Sequence, residues 1–146
     1  MRKLPSLALA TLLLVACNTV PTNSNGWIEP AEAVRAANDD PALGIRGHFV
    51  LTVRAVGSQG DRTFLNSEKD YRDQTNLTIS MRTATAHKVA ERLGVTLDQL
   101  KNRRIVVLGH ARRVRIGLFD EGRPTGKYYY QTHVWVDSPT QVEFAR

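Results

Sequence analysis

The stretch Arg62 to Met81, RTFLNSEKDYRDQTNLTISM, sets Glu68, Lys69, Asp70, Arg72 and Asp73 between two apolar-patterned runs. Asp70 and Asp73 are three apart with Tyr71 and Arg72 between them, the side-chain types that acid–base work or anion binding would use. Paired carboxylates also need a pocket and shifted pKa values, and a link between strands shows neither. The link is therefore expected to form the hydrogen-bonded, salt-bridged rim of a barrel; the alternative gives Tyr71 and Arg72 a ligand-contacting role, since loops at one barrel mouth are where such barrels bind. A second set lies downstream. Arg112, Arg113 and Arg115 make the densest basic stretch, with Lys101, Arg103 and Arg104 before it; Tyr128, Tyr129, Tyr130 and Trp135 fall on the strand expected beside it, and Lys127 ends the loop that leads into that strand. Basic groups interleaved with aromatics are what single-stranded nucleic acid needs, charge for phosphates and flat faces for bases. His48, His110 and His133 fall on three expected strands and would bind zinc only if their rings converged; strand parity does not guarantee them one face, no acidic second shell is apparent, and no metal is expected. No Ser-His-Asp order, Gly-rich phosphate loop or helical His pair is present. No enzyme and no cofactor is expected.

The elements that must position these residues follow from periodicity. Residues 29–41, EPAEAVRAANDDP, read as a short helix with Pro30 in its first turn and Pro41 as its stop. From Gly47 the period becomes two: GHFVLTVRAVG puts Phe49, Leu51, Val53 and Ala55 on one face of a long first strand. GSQGD is turn chemistry, RTFLN a second strand, and NLTISM a third, with Leu77, Ile79 and Met81 inward and Asn76, Thr78, Ser80 and Arg82 outward. Ala86, Val89, Ala90 and Leu93 recur at helical spacing and Gly94 ends that helix. Thr96 and Gln99 predict one more capped turn. Residues 103–119 return to strand character, and the Arg112-Arg113 pair shifts the alternation, predicting a bulge there. DEGRPTGK reads as a Gly/Pro loop, YYYQTHVWV as a fifth strand and TQVEFA as a short terminal one. Three strands, a helix and two strands, with Gly109 inside strand four, is the element order of a five-stranded OB-fold barrel, a β-rich α+β fold; an open α+β sheet is the alternative.

The first residues have a different character. Arg2 and Lys3 precede an apolar run, Leu7 to Ala16, of secretory length and too short to span a bilayer. Leu14-Val15-Ala16-Cys17 resembles the lipobox of bacterial lipoproteins. The resemblance implies a signal peptide over residues 1–16, acylation of Cys17 as the first mature residue, and an anchor made of acyl chains. Asn18, where aspartate commonly retains such proteins in the inner membrane, implies the outer membrane, periplasmic face. A single Cys in an exported chain forms no internal disulfide. Residues 17–26 are expected as acylated cysteine and flexible tether, 27–42 as a helical prefix and 43–146 as the barrel domain. The formal charge is +6; Arg2 and Lys3 leave with the leader, so the mature chain carries +4, a mild pull toward anions.

Two further stretches, TFLNSEKDYRDQTNLTI and HVWVDSPTQVEF, resemble the small exported bacterial OB-fold domains related to those that accompany thermonuclease-like catalytic domains. The likeness covers about residues 47 to 144, with Ser67-Glu68 standing where Phe-Gly is common after Leu-Asn. It implies the barrel fold and not the catalysis, since the chain has no room for the catalytic domain. The expected function is a non-enzymatic binding or interaction module held by lipid at the outer membrane, with an envelope partner. The alternative is a binder of an anionic polymer, oligosaccharide or single-stranded nucleic acid, through the basic and aromatic surface.

Overall fold

Where apolar residues alternate the chain is extended, and where they recur at three and four it is helical. The computed structural model describes residues 19–146; the expected leader and the lipidation site Cys17 lie outside the described residues. The order is α1 (Pro30–Asp39), β1 (Ile45–Thr52), β2 (Ala55–Gln59), β3 (Arg62–Asn66), β4 (Leu77–Arg82), α2 (Thr83–Leu93), β5 (Arg104–Asp120), β6 (Arg123–Val136) and β7 (Val142–Phe144), with single 3₁₀ turns at Asp98–Leu100 and Pro139–Gln141. Pro30 opens α1, Gly94 closes α2 at φ 71°, and Thr96 and Gln99 exchange side-chain-to-backbone hydrogen bonds around the first 3₁₀ turn.

The strands form one sheet ordered β1-β5-β6-β4-β3-β2, with β7 added on β5. All pairs are antiparallel except β4 with β6. Its two margins, β1 and β2, belong to one chain segment bent at Val53-Arg54. There the Val53 amide donates to the Arg103 carbonyl, the Asn102 amide to the Val53 carbonyl, and the Arg54 amide to the Asn66 carbonyl. The sheet is barrel-like and open. The β-rich α+β class is as expected, but the expected five strands are seven. The expected first strand, 47–57, divides because the chain must leave β5 and join β3 at Val53-Arg54; the terminal run supplies β7.

The core is where alternation put it: Phe49, Leu51, Val53, Leu65, Leu77, Ile79, Met81, Ile105, Val107 and Val134 are at most 1% exposed. Each large apolar side chain removed from water stabilises by about 1.5–3 kcal/mol. Gly47 and Gly109 face each other across β1 and β5. A Cβ on Gly47 would lie 2.7 Å from Ile28 Cδ1, and one on Gly109 2.5 Å from Val134 Cγ1. Missing side chains thus let Ile28 settle beside β1, where its amide donates to His48 and its carbonyl accepts from Val50. Ala33, Val34, Ala36 and Ala37 of α1 are buried behind it. The residues before α1, expected as the outer part of a flexible tether, are laid down too: Val20 packs on the core, and Asn23 closes a turn by accepting from the Asn25 and Trp27 amides.

Beyond Ala111, β5 pairs only with β6, and the two form a hairpin arm. Pairing with β6 runs unbroken through Arg112-Arg113, contrary to the expected bulge. The arginine pair marks where the strand leaves the core for the arm, one face of which carries Arg113 and Arg115 and the other Arg112, Val114 and Ile116. The register shift falls instead between Gly117 and Phe119. The expected Gly/Pro loop is itself strand, turned tightly at Glu121 and Gly122, φ 45° and 76°, the left-handed pair that a two-residue hairpin requires.

Candidate functional site: a groove on the outer sheet face

Cross-strand register fixes the outer face. Asn66 lies opposite Thr78 and Thr78 opposite His133; Phe64 lies opposite Ser80 and Ser80 opposite Trp135. On β5, Arg112 continues the first row beside His133. The residues of NLTISM expected outward do face that way but are covered: Asn76, Thr78 and Ser80 are 1–2% exposed, because neighbouring strands fold longer side chains over them. The Arg62 guanidinium donates to Ser80 Oγ through Nε and an Nη at 3.2 and 2.9 Å. Asn66 Oδ1 accepts from Thr78 Oγ1 at 2.8 Å and from Asn76 Nδ2 at 3.2 Å. A fully paired polar floor of this kind is rigid and avoids the cost of orphaned buried groups. Three rings lie on it in sequence, Phe64 and His133 with centroids 6.2 Å apart and His133 and Trp135 at 5.9 Å.

Beside the rings is a groove of about 370 Å³, bounded by β2 at Gly57–Gln59, by Phe64, Asn66 and Thr78, and by Ile116, Tyr129, Gln131 and His133 of the arm's root, with Tyr71 as a flap. Gln131 fastens the flap: its Nε2 donates to the Tyr71 carbonyl at 3.2 Å and to Tyr129 Oη at 2.8 Å, while its Oε1 lies 2.7 Å from His133 Nε2. An amide oxygen only accepts, so His133 carries its proton on Nε2. The charged link is thus a rim and also one wall. Asp70 accepts from the Arg72 amide, and Asp73 from the Thr75 amide and hydroxyl. The salt bridges expected within it are not formed among the described residues: Arg72 lies over the Tyr71 ring, 5.3 Å from its centroid, and the carboxylates cap backbone instead.

Burial, and secondarily the nearby Arg62 charge, push the His133 imidazole down to about 4, so it is neutral near pH 7. Burial first, and neighbouring Tyr71 second, hold the Tyr129 phenol above its ordinary value. The Thr75 amide and hydroxyl hold Asp73 below the usual carboxylate range.

The residues singled out from sequence are dispersed. Tyr71 and Tyr129 line the groove, with Arg72 at its lip. Arg112 and Trp135 belong to an adjoining, more open depression of about 780 Å³ with Arg46, Leu108, His110 and Gln141. Arg113 and Arg115 point to the arm's other face, stacked 4.2 Å over Tyr130 and 4.0 Å over Tyr128, which themselves meet edge to face. Lys127 is near the tip, in a hollow with Arg115, Phe119 and Pro124. The basic stretch is therefore not one surface. Phe64, Asn66, Gln131 and His133, central to the groove, were not singled out as its residues. Alternation in RTFLN is the one signal that could have put Phe64 outward, opposite to Leu65, but the parallel pairing that sets it near His133 has no local signal.

Chemically the groove offers apolar contact from Phe64 and Ile116, stacking faces, and amide and hydroxyl groups at its edge, a size and mixture suited to a bound ligand. Among the described residues no group of three His, Cys, Asp or Glu side chains is placed to hold a metal ion, and no helix is long and apolar enough to cross a membrane. No family model matches the chain, and no curated protein matches it. Among solved structures it is similar to the aspartyl tRNA synthetase from Entamoeba histolytica, with 12% identity and a TM-score of 0.36 over 70% of this chain; it spans 19% of that protein's chain.

Proposed function

We propose that this chain is a non-enzymatic binding module built on an OB-type barrel, held by an acylated Cys17 at the periplasmic face of the bacterial outer membrane, and that the groove is its binding surface. The barrel reading is supported by connectivity. Taken as one bent strand, β1 and β2 close the order of a five-stranded barrel, with the parallel β4–β6 pair at the centre and α2 between the third and fourth strands. The observation that carries the binding role is the row of rings Phe64, His133 and Trp135 on a fully hydrogen-bonded floor beside a cleft of ligand size. A ligand able to lie flat on rings and hydrogen-bond along its edge fits this surface.

A second reading, an anionic polymer crossing from the groove to the adjoining depression, draws on Arg112 beside His133 and on the exposed Trp135 and Arg46. The test is retention of envelope components by the acylated protein and by a Tyr71→Ala, Tyr129→Ala variant, at low and high salt. A partner kept at high salt and lost by the variant supports the groove. A polyanion released steeply by salt supports the second reading. Equal retention by both proteins overturns the assignment.

A further inference from the structure

We infer that the bend of the sheet, carrying Arg54, Lys101, Arg103 and Arg104, is a surface that rests on anionic lipid headgroups, so that the chain is docked on its membrane and not merely tethered to it. The inference rests on the proposed acylation of Cys17. Backbone bonds fix the juxtaposition: Val53 accepts from the Asn102 amide and donates to the Arg103 carbonyl, with Arg54 next in the chain. All four cations are exposed. Arg104 shares Glu29 at 2.9 Å, and Arg103 stacks on Phe144 at 4.3 Å. Arg54, Lys101 and Arg103 have no carboxylate partner among the described residues. Glu29 is already shared with Arg104, and Glu143 of β7 is taken by Arg92; Asp98, exposed near Lys101, and Glu68, two residues beyond the Asn66 carbonyl that accepts from the Arg54 amide, form no ion pair among the described residues.

The N-terminal segment leads to this same end. The Glu29 carboxylate oxygen that pairs with Arg104 also accepts from Asn23 Nδ2 at 3.1 Å, and Val20 packs on the core just before it. From Val20 back to Cys17 is three residues, at most about 11 Å of extended chain. A tether this short allows these cations to come within one Debye length, roughly 8 Å at physiological ionic strength, of the surface that holds the acyl chains. With three unpaired cations there, the docked orientation is favoured roughly a hundredfold over free tumbling on the tether. From Arg104 at this end, β5 continues without a break to Asp120 at the arm's tip, so docking holds the far end of the arm away from the bilayer.

The experiment places the mature protein on phosphatidylcholine vesicles with and without phosphatidylglycerol, and follows labelling of each lysine by a membrane-impermeant amine reagent with mass spectrometry. The N-terminal peptide mass reports acylation of Cys17 independently. Lys101 is expected to react about tenfold more slowly on the anionic vesicles, with Lys88 and Lys127 little changed, and Arg54→Glu with Arg103→Glu is expected to restore its rate. An acylated protein whose Lys101 reacts equally on both vesicles overturns the inference while leaving the anchor standing. If Cys17 carries no acyl chain, sedimentation with phosphatidylglycerol vesicles alone supports the basic surface without the anchor, and sedimentation with neither vesicle overturns it.

Discussion

Acid should loosen this fold through His133. Its ring is 7% exposed, bonded to Gln131, and held at about 4 by burial and by Arg62, against about 6.5 in an unfolded chain. The folded value is the lower one, so between the two values the unfolded chain binds more protons. Stability is therefore complete above about pH 7 and falls as pH drops through 6.5 toward 4. Linkage for this one group gives a loss of about 2 kcal/mol near pH 5 and about 3 kcal/mol near pH 4. Asp73 also loses stabilisation on acidification, in a lower range because its folded value lies below the usual carboxylate one. The His133 share is isolated with His133→Gln, which keeps an amide donor toward Gln131 and does not titrate. Urea unfolding of both proteins at a series of pH values should show a steeper acid decline for the wild type by about those amounts. Parallel curves between pH 7 and 4.5 would refute the burial argument, and with it the rigid floor on which the groove depends.

Three other perturbations have defined outcomes. Gly109→Ala drives a methyl to within 2.5 Å of Cγ1 of the fully buried Val134, and should cost about 1–3 kcal/mol in urea unfolding; an unchanged midpoint would mean the two strands are not packed so closely. Leu51→Asp puts an unpaired carboxylate at a site 1% exposed, a cost of several kcal/mol, and should abolish the cooperative far-ultraviolet transition. Cys17→Ser should move the protein out of the acylated membrane fraction and leave the fold intact, as read by fractionation and circular dichroism; an acylated, membrane-bound variant would contradict the anchor.

Local chemistry made much of the fold legible. Two-residue alternation put Phe49, Leu51, Leu77 and Ile79 inside, and helix punctuation placed Pro30 and Gly94. What the sequence did not disclose depends on partners distant in the chain. The break at Val53-Arg54 arises from a change of neighbour, from β5 to β3, within a run whose alternation never lapses. Arg112-Arg113 looked like a bulge because the apolar positions pass there from the inward face, Ile105, Val107 and Ala111, to the opposite one, Val114 and Ile116, while the backbone pairing keeps its register. The candidate site was half legible: Tyr71 and Tyr129 stood out by type, while Asn66 acquires its role from the pairing of β3 with β4, and His133 only when β4 pairs in parallel with β6. Polar residues on an outer face are ordinarily solvated, and nothing within NLTISM announces that Arg62 and Asn66 will cover it.

The central claim, that the outer-face groove of an anchored module is where it binds, is tested most directly by photo-crosslinking in the envelope. A photoreactive residue is placed at Tyr71 or Tyr129, or on the exposed face of α2 at Lys88 as a control. A discrete adduct formed from Tyr71 and Tyr129 and absent from Lys88 is the predicted result. Adducts from Lys88 with none from the two groove positions would contradict it.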